Sequence, residues 1–452
     1  MQPDRRASLK ALAVLSGLSV LPMPLVAAPS PTTPEWLILV YMNGKNSLAA
    51  DAIDDFMEMS AIGSSKAMSI VVQLGRIDDP SCNPSTYDGW SGVKRYLINK
   101  GTRPTSKEAL VHVGGARDAT ADMGAIATLD EFIAWGTAKY PAKKKILVIW
   151  NHGQGWRLVT TPEARILPRT DGQSACRTQG RSGQPIYGNY RSVSSDDDHR
   201  SILHNKEIQS CLEKWQEKNV RFDIVAYDAC LMAMVETAYS LRKVTDFLVA
   251  SQELELGAGW DHTRVLKKLA DNPSADPEAF AKMIVASYRE KYRDVDHTTL
   301  SAVRLANIDN ICRGISRTAD ALRANADVTF AELRTVRNGL LGFADHENLG
   351  FTVDCETLFA RLASVTQNTD VRREARAVAD QVHEATIENY ASVEPAASSP
   401  RGLALYFPKT RSDFNRDFDR LGYLRSNTLH PVDFVADVNW SLLLRDFLAL
   451  PA

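Results

Sequence analysis

Two apolar runs in the sequence each lead directly into a side chain that could perform acyl-transfer chemistry. The run 145–150 ends shortly before His152, and the run 222–227 ends shortly before Cys230. In thiol catalysis, a cysteine sulfur attacks a carbonyl carbon while an imidazole transfers the proton to the leaving group. If the fold brings the two segments together, His152 and Cys230 could form such a pair.

The elements around these residues predict where they meet. Short apolar runs bounded by turn residues and alternating with helical patterns indicate buried parallel strands in an α/β fold, with helices on both faces of the sheet. In such sheets ligands bind outside the carboxyl ends of the strands, where His152 and Cys230 would lie. We predict strands at 36–42, 68–74, 93–98, 145–150, 222–227 and 247–251, and helices at 48–59 (with Ser47 as N-cap), 128–139 and 205–217.

Neither residue is decisive alone, because a single cysteine is most often a small core residue and a loop histidine is often structural. The sequence predicts a helix from Leu231 to Tyr239, whose amino end would lower the pKa of the Cys230 thiol. Gly153 lets a substrate backbone approach, and its amide could complete an oxyanion hole. Histidine before cysteine is the order found in caspase-like enzymes, whereas papain-like enzymes have the reverse order.

Longer sequence blocks resemble a known family. They are Tyr41–Gly44, Asp122–Gly124, Ile149–Trp156, Ala226–Met234, Val249–Glu253, Gly259–Asp261 and Gly402–Pro408. The chain resembles clostripain-like cysteine peptidases, peptidase family C11, of the caspase-like clan. The resemblance implies a caspase-like three-layer α/β/α core, Cys230 as nucleophile, His152 as its partner, and an oxyanion hole formed by the amides of Gly153 and Cys230.

The resemblance also implies cleavage after a basic residue, especially arginine. Asp228 is then the candidate acid in the substrate pocket, although its carboxylate could instead cap the following helix. Two positions depart from the family pattern, because Ala258 and Lys45 stand where relatives often have aspartate. The loss of an acid at 258 would weaken recognition of arginine and could shift the specificity toward lysine or uncharged residues.

Composition excludes several other classes of protein. The chain has 452 residues, 44% apolar residues and a formal net charge of -2, and it has no basic stripe with interleaved aromatic residues, so nucleic acid is not an expected partner. Six scattered cysteines are too few for a disulfide framework and lack zinc-binding spacing. If Cys230 is a free thiol, at most two disulfide bridges can form, and the sequence does not decide their pairing.

The organisation along the chain suggests an exported protein. Residues 1–28 have the pattern of a signal peptide, and Arg5 and Arg6 resemble a twin-arginine signal. Residues 29–261 would form the catalytic core, and residues 262–452 a mainly helical region with a strand at 402–408 that could return to the sheet. Because no other long apolar segment exists, no membrane span is expected after signal removal.

The segment 160–200 is rich in polar residues and glycine, as is typical of a functional or mobile loop. The resemblance raises self-cleavage there after Arg165, Arg169, Arg177 or Arg181, with a tolerated surface loop as the alternative. Asp196–Asp198 could be a solvated acidic turn or part of a calcium site. The chemistry itself requires no cofactor.

The expected partners are protein or peptide substrates. Two other functions remain open at this point. One is a peptide-binding homologue without activity, and the other is a peptide ligase that uses the same thioester intermediate.

Overall fold

The apolar runs form the centre of a nine-stranded sheet in a computed structural model of the chain. The structure describes residues 33–114, 121–156, 193–295, 297–344, 350–392, 400–417, 420–426 and 431–450. The strands are β1 Trp36–Gly44, β2 Met68–Arg76, β3 Gly92–Leu97, β4 Val111–Val113, β5 Lys144–Trp150, β6 Val193–Asp196, β7 Ser201–Leu203, β8 Ile224–Asp228, β9 Phe247–Ala250, β10 Thr299–Arg304, β11 Thr352–Asp354, β12 Thr386–Ala391 and β13 Ala404–Tyr406.

The sheet has the order β12-β10-β9-β8-β5-β1-β2-β3-β4. Its five middle strands, from β9 to β2, are parallel, and two antiparallel strands extend it at each edge. The mostly parallel α/β fold predicted from the sequence is therefore confirmed.

Helices cover both faces of this sheet. They are α1 Ala49–Ile62, α2 Ile126–Lys139, α3 Asn205–Glu217, α4 Val235–Leu241, α5 His262–Asp271, α6 Pro277–Lys291, α7 Ile308–Ala324, α8 Ala326–Asn338, α9 Cys355–Val365, α10 Thr369–Ala385, α11 Arg411–Arg416, α12 Asp433–Asp437 and α13 Trp440–Phe447. Alternate residues of β1 enter different cores: Leu39 packs in the core that contains α2, and Val40 in the core that contains α1. The three-layer arrangement follows from this alternation.

Strand register brings the two chemical segments level with each other. Met42 of β1 pairs with Trp150 of β5, and Trp150 pairs with Asp228 of β8. All three strands run in the same direction, so the residues that follow them leave the same edge of the sheet. His152 and Cys230 therefore begin adjacent loops.

Three predictions differ from the observed elements. Residues 193–200, which lie in the predicted loop 160–200, form strand β6 and the turn of the β6–β7 hairpin. The region after residue 261, predicted to be mainly helical, contributes strands β10 and β12 to the main sheet. The late strand β13 pairs with β11 and bridges Met234 rather than joining the main sheet.

Some predictions fall outside the described residues. These are the signal peptide at 1–28 and the four candidate cleavage sites, Arg165, Arg169, Arg177 and Arg181. Within the described part of the chain, no helix is both long enough and apolar enough to cross a membrane. Cys82 is disulfide-bonded, whereas Cys211, Cys230, Cys312 and Cys355 form no disulfide bond.

The buried acid Glu236 is expected to make the stability of the fold depend on pH. Glu236 accepts hydrogen bonds from the Tyr406 amide (3.1 Å) and the Tyr423 hydroxyl (2.8 Å) through one carboxyl oxygen. Its other oxygen is buried and has no hydrogen-bond partner among the described residues. Burial raises the pKa of Glu236 from 4.5 to about 7. The unfolded chain therefore loses this proton at lower pH than the folded chain, which lowers stability as pH rises from about 4.5 to 7.

Glutamine at this position stays neutral and keeps an acceptor oxygen. As pH rises from 5 to 8, we expect the unfolding free energy of wild type to fall by about 2 kcal/mol relative to that of Glu236→Gln. Urea unfolding at the two pH values measures this difference. Parallel pH dependence of the two proteins would contradict the assignment.

Candidate active site

The loops after β5 and β8 line one cleft of about 640 Å³ at the carboxyl edge of the sheet, open to solvent. His152, Gly153, Asp228 and Cys230, the four site residues predicted from the sequence, all line it. The structure thus brings together all of the predicted site residues.

The Cys230 side chain lies in a turn and not at a helix end. Helix α4 begins only at Val235, so the predicted helix from Leu231 is wrong in its start. Between Cys230 and α4, the amide of Leu231 donates a hydrogen bond to the Glu253 carbonyl (3.1 Å). Leu231 itself has a left-handed backbone conformation with φ of 58°. The amino end of α4 is therefore not available to activate the thiol.

The Cys230 sulfur instead faces the loop after β9. It accepts a hydrogen bond from the Glu255 amide at 3.2 Å. The thiol can also donate to the Glu255 carbonyl at 3.7 Å, so the main chain of Glu255 fixes the position of the sulfur. The side chain is half-buried, as a reactive cysteine requires.

Asn151 fixes the loop that carries His152. Its side-chain oxygen accepts from the amides of His152 (2.6 Å) and Ser195 (3.1 Å), and its amide nitrogen donates to the Asn43 carbonyl (2.5 Å). The His152 Nε2 atom lies 3.0 Å from the Ser47 hydroxyl. Ser47 therefore orients the imidazole ring rather than capping α1, whose N-cap is Leu48 with no side-chain bond.

Gly153 lies against the turn of Cys230. A Cβ atom at this position would lie 2.4 Å from the Cys230 carbonyl oxygen and 3.0 Å from the Ala229 Cβ. Gly153 also forms an antiparallel bridge with Val193 of the β6–β7 hairpin. Only glycine permits this contact between the His152 loop and the Cys230 turn.

Asp228 belongs to a buried group of charges at the base of the cleft. Its carboxylate lies 3.0 Å from the His262 Nε2 atom and accepts from the Trp260 amide at 3.3 Å. The carboxylate of Asp55 lies 3.7 Å from the same imidazole and accepts from the Trp150 indole at 2.6 Å. The alternative role of Asp228 as a helix cap is wrong, because the N-cap of α4 is Met234 and makes no side-chain bond.

Burial and the charges within this group shift the pKa values of its members. Burial would lower the pKa of His262, but hydrogen bonds and charge from Asp228 and Asp55 outweigh it and raise that pKa to about 10. Burial raises the pKa of Asp55, and His262 partly offsets this rise. The ligand atoms of Asp55, Asp228 and His262 are close enough to hold a metal ion, but the imidazolium already supplies the positive charge there.

The turn 257–260 forms one side of this pocket and contains Ala258. Its carbonyls are held from behind, since Lys291 donates to Ala258 (2.6 Å) and Trp260 (2.9 Å), and Tyr292 donates to Gly259 (2.6 Å). A Cβ at Gly259 would lie 3.0 Å from oxygens of both Asp228 and Asp55. The glycine therefore allows the turn to approach the acidic group.

The acidic segment 196–198 holds an internal cation. The buried Lys45 ammonium lies 3.1 Å from Asp196, 3.3 Å from Asp198, 2.8 Å from the Ala121 carbonyl and 3.2 Å from His199 Nδ1. The Asp196 carboxylate is buried, so the solvated-turn interpretation does not hold for it. An ammonium in this position repels a divalent ion, so these residues as placed do not fit calcium.

Replacement of Lys45 is expected to lower the stability of the fold strongly. Lys45→Met leaves the buried Asp196 carboxylate without its cation, which should cost about 3–5 kcal/mol of unfolding free energy in urea. The control is Lys143→Met, because Lys143 forms an exposed ion pair with Glu35 and should change stability by less than about 1 kcal/mol. Equal stability of the two variants would show that the Lys45 cluster does not hold the 193–199 segment in place.

Comparison with known proteins shows the family to which the chain belongs. A model of the clostripain family matches residues 40–175 and 184–446, which is most of the chain. The chain belongs to the clostripain family of cysteine peptidases. Clostripain from Hathewaya histolytica is 24% identical over 241 residues, which are 51% of this chain and 41% of clostripain. The aligned part thus spans less than half the length of that relative.

Two solved structures of C11 proteases share the fold. A secreted protease from Bacteroides thetaiotaomicron, solved with an irreversible peptide inhibitor, has a TM-score of 0.57 and 16% identity, covering 90% of this chain and 99% of its own. An inactive zymogen from Parabacteroides distasonis has a TM-score of 0.58 and 18% identity, covering 92% and 99%. At these identities the likeness shows that the clostripain-family fold is shared.

Four contributors to the site were not predicted from the sequence: Ser47, Asn151, Glu255 and His262. Asn151 stands directly before His152 in a block that resembles the family, and that position could have indicated it. The other three are distant in sequence from the residues they contact. Only the strand order brings them to the cleft.

Proposed function

We propose that this clostripain-family protein is a cysteine endopeptidase with a Cys230/His152 dyad. The Cys230 thiolate attacks the scissile carbonyl, and the imidazolium of His152 protonates the leaving amine. Water then hydrolyses the thioester. The observation that carries the proposal is the convergence of His152 and Cys230 on one cleft, on loops that leave adjacent parallel strands.

The amides of Gly153 and Cys230 are the proposed oxyanion hole. Within the described part of the chain, no hydrogen bond uses the Gly153 amide. Its antiparallel bridge to Val193 is formed by neighbouring groups, such as the Ser194 amide that donates to the His152 carbonyl at 3.3 Å. The Gly153 amide can thus stabilise charge that develops on the substrate oxygen.

Cleavage after arginine or lysine is the proposed specificity, with Asp228 as an acid of the substrate pocket. Two acids that line the cleft, Asp228 and Glu255, support it, with Asp55 behind them. One buried cation, His262, offsets only part of this negative charge. A basic side chain would complete the charge balance of the pocket.

The proposed chemistry uses no cofactor. Export by the twin-arginine-like signal and self-cleavage within 160–200 are further parts of the proposal, and they rest on the sequence pattern. If the chemistry uses no metal, a chelator should leave turnover unchanged. If the signal directs export, replacement of both Arg5 and Arg6 by lysine should keep the precursor inside the cell.

A positional-scanning library of fluorogenic peptides tests the proposal most broadly. We expect turnover with arginine or lysine before the cut and little turnover with acidic residues there. Total inactivity of the fresh, reduced protein would favour a peptide-binding homologue. Product analysis with an added amine nucleophile separates hydrolysis from ligation.

A further inference from the structure

Ser47, in the loop between β1 and α1, contacts one particular nitrogen of the His152 ring. Its hydroxyl oxygen lies 3.0 Å from the Nε2 atom, within hydrogen-bond distance. An imidazole exchanges protons through two ring nitrogens, and the bond that one of them makes sets the tautomer and orientation of the ring. The contact with Ser47 therefore determines which nitrogen of His152 can serve the reaction.

The turn that carries Ser47 is fixed on both sides of this residue. The Asn46 side-chain oxygen accepts from the Leu48 amide at 2.9 Å, so an Asx turn closes around Ser47. Asn46 is itself buried, and its side-chain nitrogen donates to the carbonyl of Ser195 in β6 at 2.9 Å. The half-buried Ser47 side chain thus projects from an anchored turn.

Ser195 also holds the loop of His152. Its amide donates to the Asn151 side-chain oxygen at 3.1 Å, and its carbonyl accepts from the Asn43 side chain at 2.8 Å. Asn151 in turn donates to the Asn43 carbonyl at 2.5 Å and accepts from the His152 amide at 2.6 Å. One buried network of hydrogen bonds therefore fixes Ser47 and His152 relative to each other.

We propose that Ser47 is a positioning residue of the catalytic unit, which accepts a hydrogen bond from the Nε2–H group of His152 and assigns proton transfer to Nδ1. When the C–N bond of the substrate breaks, its electron pair goes to the leaving nitrogen, which takes the Nδ1 proton of the imidazolium. The neutral ring keeps its Nε2–H group, so Nδ1 can next take a proton from the water that attacks the thioester. This inference rests on the proposed peptidase function and deepens it.

A hydroxyl group suits this role in both protonation states of the ring. Its oxygen has two lone pairs, so it can accept from Nε2–H whether the ring is neutral or charged. The bond is stronger to the charged ring, so Ser47 stabilises the imidazolium that protonates the leaving amine. Loss of the hydroxyl should therefore affect most the substrates whose leaving group needs a proton.

The test compares an aminomethylcoumarin amide with a nitrophenyl ester of the same peptide, chosen from the scanning library. The amine needs a proton as it leaves, whereas nitrophenolate leaves without one. We expect Ser47→Ala to lower kcat/KM for the amide by about 10-fold or more, as for one hydrogen bond to a charged group, and that for the ester by about 3-fold or less. Ser47→Thr keeps the hydroxyl and should recover most of the amide rate.

A double-mutant cycle tests whether Ser47 acts through His152. In a His152→Ala background, Ser47→Ala should change the residual amide rate by less than about 2-fold, because the ring that Ser47 positions is already absent.

Ser64→Ala is the matched control. Ser64 lies beyond the other end of the 14-residue helix α1, about 20 Å away, and its hydroxyl donates to the Ile98 carbonyl at 2.7 Å. Its replacement should leave both rates unchanged. A wild-type amide rate in Ser47→Ala, equal losses on amide and ester, or an undiminished loss in the His152→Ala background would overturn this inference alone. Absence of amide hydrolysis by wild type would instead overturn the proposed function.

Discussion

Replacement of Cys230 by alanine is expected to reduce hydrolysis of arginyl peptides by about 10⁴-fold or more. The reason is that removal of the nucleophile leaves only substrate binding and the oxyanion hole, which contribute much less than the covalent step. Initial rates with an arginyl-aminomethylcoumarin peptide measure the loss. Peptide affinity should be retained, because the cleft and its acids are unchanged.

Cys211→Ala is the control for this result. Cys211 is a second free thiol, but burial and the neighbouring Asp130 raise its pKa to about 12, so it remains an unreactive thiol. Its replacement should leave turnover unchanged.

His152→Ala should also remove most activity. The double variant His152→Ala, Cys230→Ala should lose little more, because the effects of residues that act as one unit are not additive. Wild-type rates in Cys230→Ala would contradict the assignment of Cys230 and His152 as the catalytic dyad.

Gly153→Ala is expected to lower kcat/KM by about 10²-fold or more. A Cβ at this position would lie 2.4 Å from the Cys230 carbonyl oxygen, a backbone atom that cannot move without its loop. The substitution therefore pushes the His152 loop and the Cys230 turn apart. A displacement of about 1 Å in a catalytic arrangement can cost 10²-fold.

The matched control is Gly339→Ala at the end of α8, where the nearest atoms to a new Cβ are 3.5 Å away and the backbone needs no left-handed conformation. It should keep full activity. If Gly153→Ala were equally active while its melting temperature matched wild type, the contact between the two loops would have no part in catalysis.

The position of His152 and Cys230 at one edge of the sheet could be predicted because it depends on local patterns. The apolar runs before His152 and Cys230 are β5 and β8, and helix α3 spans the predicted residues 205–217. Parallel strands share their carboxyl edge, so neighbouring β5 and β8 place both residues there. The nearness of Gly153 to the Cys230 turn follows from the same geometry.

Other features could not be predicted, because they depend on contacts between distant parts of the chain. The helix after Cys230 begins late because the amides of residues 231 and 233 pair with residues 253 and 251. Lys45 meets Asp196 and Asp198 only because the β6–β7 hairpin packs beside β1. Composition suggested a loop in that segment, and a buried hairpin rich in polar residues has no apolar periodicity to reveal it.

The surroundings of Ala258 also could not be predicted from the sequence. Glu255 lines the cleft three residues before it, and Asp228 forms a buried ion pair with His262. His262 follows the family-like block 259–261 directly. Nothing in its spacing indicates that its ring turns back toward Asp228.

The central claim is that Cys230 is a nucleophile activated by His152. An arginyl acyloxymethyl ketone, which alkylates a thiolate positioned for attack, followed by mass spectrometry of the digested protein, tests it most directly. We expect one adduct on Cys230, with the labelling rate lowered by about 10²-fold or more in His152→Ala. An adduct on Cys211, Cys312 or Cys355 instead, or an equal rate in both proteins, would contradict it.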